Sequence, residues 1–428
     1  MKSNRNRGWL AALAVGVCGV MATSVEATGN DDAEVIIEWN QLLQSNISSA
    51  PTPAGLFAFR YYAMMHIAMF DAVNSVEQEY KRYHVLVKAN RAASAEAAAA
   101  QAAHDVLVAL IPAAEATFDD ALETRLETLP RWRAGRGVVV GKKVARAILA
   151  WRSGDGSELP NLPYQPPALP GLWQPAAEGQ VAAGVNFANV EPFGLLTPMQ
   201  YLPGPPPFLN SPEYATDFEA VKEIGSASSA TRTPDETLLA LLVSGSGYSP
   251  GPFALWSNVA RDVARSQHLS LIKTARLFAL VNAAMHDGLQ TSHSSKFVYS
   301  LWRPITAIQR ADEDLNDQTI ADPVWTPLLG TPPYPSHSSN VTCIGASAAG
   351  SLARTFDTDA IPFTVTWTGT AGNPDVTRSY SSFSQLAEEA ALSRVYGGIH
   401  FAFELNASFE SCTKVADYLF DNYMQRKH

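Results

Sequence analysis

Nearly half of the 28 prolines in this 428-residue chain fall between residues 157 and 212, with Pro205-Pro206-Pro207 near the end of the stretch. Proline has no amide hydrogen for a helix or an inner strand, so the segment cannot be regular structure. It divides the chain in two. A flexible linker is one reading. Trp173, Phe187, Phe193 and Tyr201 are interspersed with the prolines, and this favours a segment wrapped over a surface, where it can form one wall of an active-site entrance.

On either side the apolar residues recur with helical period. In the first part, helices are expected over 35–43, 56–76, 92–110, 118–129 and 134–152. The second of these is apolar nearly all round and is therefore central. Gly154-Asp155-Gly156 ends this group. Helices resume at Glu213, and Thr233-Pro234-Asp235-Glu236 has the residues of a helix start. Further helices are expected over 269–286, 302–312, 340–355, 384–395 and 402–424. Phe363-Thr364-Val365-Thr366-Trp367 alternates as a short strand would, in a hairpin ending near Tyr380. The expected fold is all-α: two helical bundles packed together, a long proline-rich crossover, and at most a small β-hairpin.

Lys2, Arg5 and Arg7, then the apolar residues 9–22, then Val25-Glu26-Ala27, have the layout of a signal peptide. About 14 apolar residues are too few to span a bilayer. The expected layout is a signal peptide over 1–27, a first bundle over 28–156, the wrapping segment over 157–212 and a second bundle over 213–428, with the mature protein exported to the periplasm or the exterior. Charged residues are only 17% of the chain and the formal net charge is −10. This argues against nucleic acid or an anionic membrane as a main partner. Any anion site must be a local cluster of bases. Of three cysteines, Cys343 and Cys412 would remain after export. Two are too few for a zinc cluster. A disulfide and a pair of buried thiols both remain open, as does the oligomeric state, a homo-oligomer included.

Three pieces of the second half carry chemistry. Lys296 and Arg303-Pro304 are seven residues apart, about 20° short of two helical turns, so on one helix they would share a face. Pro304 allows that only at a helix start or a kink. Two close cations call for an anion between them. Next, Ser393-Arg394 precedes His400 by a stretch containing Gly397-Gly398, whose freedom permits a sharp turn that swings His400 back towards Arg394. An imidazole among such cations stays neutral, as a metal ligand or a nucleophile must. Between these lies Pro332-Pro333-Tyr334-Pro335-Ser336-His337-Ser338-Ser339-Asn340, a hydroxyl-rich loop opening a helix whose amides suit an anion.

The order K-x6-RP, Pro/Ser loop, SR-x5-H resembles the signature of vanadium-dependent haloperoxidases and of type-2 phosphatidic-acid-phosphatase-like enzymes. Residues 63–74 (AMMHIAMFDAVN), 231–233 and 275–280 are similar to the bacterial haloperoxidase branch, and the resemblance covers most of 35–424. It implies that Lys296, Arg303 and Arg394 hold the oxygens of vanadate, or of phosphate in the same site. It implies that His400 coordinates vanadium, or is phosphorylated in a phosphatase. The middle-motif serine would bond an oxygen and the next residue would offer its amide. The family usually has Pro-Ser-Gly-His there. An ungapped register places Ser338, Ser339, Asn340 and Val341 at those positions, so that Val341 replaces the acid/base histidine. A shifted register keeps a histidine, His337. His293 is another that could face the site.

The implied activity is oxidation of a halide by hydrogen peroxide, with a small organic molecule as acceptor. The alternatives are an acid phosphatase working through a phosphohistidine at His400, and a catalytically impaired anion-binding homologue. His66 and Asp71 read as a core pair. His286-Asp287 reads equally as structural or as support for the site. Glu404 reads as a rim charge, or as a group orienting His400 if one helix carries both.

Overall fold

The computed structural model describes residues 32–50 and 54–427, and the expected signal peptide lies outside them. Five helices form the first group: α1 (Glu34–Asn46), α2 (Ala54–Glu77), α3 (Ala95–Leu110), α4 (Glu115–Glu127) and α5 (Arg131–Trp151). In α2, Phe59, Tyr62, Met65, Ile67 and Phe70 are all buried, as a helix apolar on every side requires. Ser94 caps α3 by accepting the Ala97 amide at 3.1 Å. The alanines of α3 let α5 approach closely. A Cβ at Gly141 of α5 would stand 2.5 Å from the Ala98 carbonyl oxygen, so no larger residue fits.

His66 and Asp71 do not pair with each other as expected. The Asn40 amide lies 2.9 Å from His66 Nε2. Asp71 accepts the backbone amides of Tyr83, His84 and Val85 at 2.8–2.9 Å, holding the chain after α2. Both residues brace the core, each through a different partner.

From 157 to 211 there is no α-helix or named strand, only a short 3-10 turn at Phe187–Asn189. The segment wraps the helices. Phe187, Val190 and Phe193 are buried in the main core.

The second group comprises α6 (Pro212–Ile224), α7 (Pro234–Ser244), β1 (Tyr248–Ser249), α8 (Leu255–Ser266), α9 (Leu271–Tyr299), α10 (Pro304–Gln309), α11 (Asn340–Phe356), β2 (Phe363–Gly369), β3 (Val376–Tyr380), α12 (Phe383–Tyr396) and α13 (Ala402–Asn422). Thr233 and Glu236 form a reciprocal capping box at the start of α7. The fold is all-α apart from one small antiparallel sheet of order β1-β2-β3, with Phe363 opposite Tyr380 and Tyr248 opposite Gly369. The third strand and α8 were not expected from the sequence.

Helix α9 ties the two groups together, packing on α2, α11 and α13. One apolar cluster therefore runs through both. Asp287 of α9 accepts the amides of Phe193, Gly194 and Leu195 at 2.7–3.0 Å and so pins the wrapping segment. The helix runs well beyond the expected end at His286. Its last turns are polar yet buried, from Gln290 through Lys296, so their polarity does not mark a surface. Cys343 and Cys412 form a disulfide between α11 and α13. Among the described residues, no helix is long and apolar enough to cross a membrane.

Candidate oxyanion site

Lys296 and Arg303 lie on either side of a helix break rather than on one face. Helix α9 ends just after Lys296, with Ser300 left-handed at φ 52°, and Arg303 caps α10 with Pro304 at its first position. Both cations grip the loop ahead of α11 by its carbonyls. Lys296 Nζ donates to the Ser336 oxygen at 2.8 Å and also to that of Ser338. Arg303 Nε donates to the Tyr334 oxygen at 2.9 Å. The Tyr334 ring spans the pair, its centroid 5.2 Å from Lys296 Nζ and 5.0 Å from Arg303 Cζ.

The turn after α12 brings the imidazole to these cations. Gly398 adopts φ +73°, and a Cβ there would strike the Gly225 carbonyl oxygen. The Ile399 amide returns to the Arg394 carbonyl at 3.1 Å. His400 then stands with Nε2 3.2 Å from Arg303 Nη1 and Nδ1 2.8 Å from Glu404 Oε2. The carboxylate takes the proton-bearing nitrogen, so Nδ1 carries the hydrogen and Nε2 presents its lone pair. Burial, reinforced by Arg303 and Lys296, holds His400 well below its ordinary pKa and keeps it neutral.

Glu404 is not a rim charge. It is fully buried in the first turn of α13. Its Oε1 accepts the Ser336 hydroxyl at 2.7 Å and the Phe401 amide at 3.0 Å. Burial opposes its ionisation, but His400 and Lys296 outweigh burial and hold it below the usual carboxylate range. Spacing i, i+4 from His400 was the available signal. Tyr334 carried no signal beyond its place in the loop, and Ser336, a candidate oxyanion donor by sequence, donates to Glu404 instead.

Arg394 and His400 both line a cavity of about 340 Å³. Among the described residues the Arg394 guanidinium reaches only the Ser393 hydroxyl at 3.0 Å and the Ala240 carbonyl at 3.4 Å. Burial pushes its pKa down to about 10. Tyr334, Asn340 and Val341 also line the cavity, closed on the apolar side by Leu56, Phe253 and Ile344. Asn340 and Val341 open α11, where first-turn amides have no helical acceptor.

Residues 276–427 match the family model described as the VCPO second helical-bundle domain. The C-terminal part of the chain therefore carries a helical-bundle domain of the kind that model describes. Among solved structures, a bacterial vanadium-dependent iodoperoxidase is similar over 93% of this chain and 97% of that one, with TM-score 0.75 and 22% identity. The holo form of a bacterial vanadium-dependent chloroperoxidase is similar over 88% and 94%, with TM-score 0.70 and 15% identity. Its apo-type counterpart matches over 87% and 95%, with TM-score 0.69 and 16% identity. No curated protein matches significantly.

The residues of this site fit an oxyanion such as vanadate. Three buried bases, Lys296, Arg303 and Arg394, stand against one buried carboxylate, Glu404, and burial pushes the Lys296 ammonium well below its ordinary pKa, so the two guanidiniums carry the surplus charge. Arg303 Nη2 is buried with no acceptor in the protein. A cluster with surplus positive charge and an unspent donor is completed by an anion. The middle motif is less complete. Ser339 caps α11, its hydroxyl accepting from the Thr342 amide and hydroxyl at 3.4 and 2.8 Å, and its own amide goes to the Ser408 hydroxyl. It is not among the residues lining the cavity. His337 is not brought to the cavity either: Nε2 bonds the Gly204 carbonyl at 2.8 Å, and the ring packs beside Tyr299 and Phe403. Val341 occupies the cavity wall instead. His293 stands behind Tyr334, its Nδ1 3.4 Å from the Asn340 amide nitrogen.

Proposed function

We propose that this chain is an exported vanadate-dependent haloperoxidase that uses hydrogen peroxide to oxidise a halide. The observation that carries the reading is the neutral His400, its Nε2 turned towards Arg303 and its ring sharing a cavity wall with Arg394. Vanadate, when bound, supplies Lewis-acid activation of hydrogen peroxide towards halide attack. His400 Nε2 is its ligand, and Glu404 keeps the proton on the opposite nitrogen. Arg303, Arg394 and Lys296 balance the charge of its oxygens. The Asn340 and Val341 amides add donors at the start of α11. Leu56, Phe253 and Tyr334 line the cavity and restrict water there. A small organic molecule receives the oxidised halogen.

The same neutral Nε2 backed by a carboxylate suits a phosphohistidine reaction. Against this, the cavity wall has Val341 where a leaving-group acid is wanted, and His337 is bonded elsewhere. The peroxidase reading is therefore preferred. Export is supported by the Cys343–Cys412 disulfide, a bond of oxidising compartments.

The test is an assay of the purified protein, with and without vanadate, for peroxide- and halide-dependent halogenation and for phosphomonoester hydrolysis. Vanadate-dependent halogenation is expected. Phosphomonoester hydrolysis that vanadate inhibits, with no halogenation, would replace this reading by the phosphatase one.

A further inference from the structure

The outer face of α5 has a charge character opposite to the chain as a whole. The helix carries Arg131, Arg133, Arg136, Lys142, Lys143 and Arg146 and no acid, within a chain of formal net charge −10. All six bases are exposed. None takes part in an ion pair among the described residues, although an acidic protein has carboxylates to spare. The opposite face is small and apolar and packs on α3.

A second stretch widens this surface. Residues 81–95 also contain no acid, and they run antiparallel beside α5. The His84 ring stacks on Trp151 at 4.4 Å near the helix end, and the Ser94 amide reaches the Arg133 carbonyl at 3.1 Å near its start. Lys88 and Arg91, both exposed, extend the basic field along that edge. The opposite edge carries acids, where Asp119, Glu123 and Glu127 of α4 line a hollow with Arg131.

Apolar groups sit among the cations. Trp132 is 60% exposed and Val139 52%, one helical row apart, with Arg136 5.3 Å over the Trp132 ring. Leu86, on the neighbouring stretch, is 41% exposed. Cations surrounding a tryptophan on the convex side of a helix match an interfacial contact. Bases meet anionic headgroups while the indole and aliphatic groups enter the boundary with the acyl chains. The net charge of the chain argues against such contact only if charge is spread evenly, and here it is segregated. A polynucleotide strand is tracked by a groove with stacking platforms, and a convex face provides none.

We propose that the α5 face, with residues 81–91 beside it, docks this protein on an anionic lipid surface. Binding draws on the Coulombic attraction of each base near the headgroups, which salt screens over about 8 Å at physiological ionic strength. It is independent of the oxyanion site.

The experiment is co-sedimentation of the purified mature chain with vesicles of phosphatidylcholine alone or of phosphatidylcholine containing phosphatidylglycerol. The variants are K142A/K143A/R146A, W132A and, on another face, K273A. Circular dichroism and thermal melting check that each is folded. Salt-sensitive binding to the anionic vesicles alone is expected. The triple variant should lower partitioning by roughly a hundredfold, at about one cation's headgroup attraction apiece. W132A should lower it several-fold, and K273A should leave it unchanged. Equal binding to neutral vesicles would overturn the proposal, as would no binding to anionic ones. So would a folded triple variant that partitions like the parent, or tighter capture by single-stranded DNA than by anionic vesicles at the same salt.

Discussion

Glu404 Oε2 lies 2.8 Å from His400 Nδ1, one helical turn along the chain, and this contact decides which imidazole nitrogen faces the cations. With Nδ1 protonated, Nε2 accepts from Arg303 and is available to a guest. The carboxylate is itself held by the Ser336 hydroxyl, so the loop before α11 and the start of α13 are fastened through one side chain.

Glu404→Gln keeps the shape but offers an N–H where the imidazole expects an acceptor. The preferred tautomer then reverses, and an Nε2 hydrogen confronts the Arg303 donor. Vanadate affinity should fall by about 10–100-fold, the usual cost of losing such a supporting partner. Nitrogen NMR of the His400 ring should show the tautomer change. An unaltered tautomer with unaltered affinity would remove Glu404 from the account.

Arg394→Ala separates binding from folding. Among the described residues its partners are a hydroxyl and a carbonyl, and no carboxylate pairs with this buried cation. Vanadate affinity should drop by at least about a hundredfold, the loss of two charge-assisted bonds. The melting temperature without ligand should stay level or rise, because like-charge repulsion is relieved. Intact binding with a lower melting temperature would mark Arg394 as structural.

In the ungapped register Val341 takes the acid/base position of the middle motif, and Val341 lines the cavity. Val341→His should raise peroxide-dependent turnover by at least about tenfold, the low end of what a positioned acid/base supplies or somewhat less. His337→Ala should change turnover by less than about twofold. Steady-state rates decide this. Loss of activity in His337→Ala, with no gain in Val341→His, would favour the shifted register.

Away from the site, His66 reports on acid stability. Burial, with Arg261 nearby, lowers its pKa to about 3 from the ordinary 6.5. As pH falls below about 6.5 the unfolded chain takes up a proton that the native ring refuses, so stability is lost progressively down to about pH 3. Between pH 7 and pH 5 the wild type should lose about 2 kcal/mol more than His66→Gln, which has no such proton to gain. Urea unfolding at the two pH values measures this. Parallel losses would contradict it.

Much of this architecture is legible in the residues. Thr233 to Glu236 form the cap that their types imply, and the alternation at Phe363 to Trp367 is a strand. The K-x6-RP and SR-x5-H motifs meet because Gly398 permits the turn and Ser300 the helix exit. What escapes sequence reading is polarity turned inward. The end of α9 is rich in serine, threonine and histidine and looks like a loop, yet it is buried against the loop it holds through Ser292, Ser295 and Lys296. Glu404 looks like a surface charge for the same reason. His337 looks catalytic by its neighbours in sequence, but the Gly204 carbonyl turns it elsewhere. Two-residue β1 is below what alternation can reveal.

The central claim is that Lys296, Arg303 and Arg394 gather around His400 to hold an oxyanion. Calorimetric titration of orthovanadate into the wild type and His400→Ala tests it most directly. Saturation at one vanadate per chain, displacement by phosphate, and no saturable binding in the folded variant are expected. Absence of binding by the wild type, or equal binding by both, would contradict it.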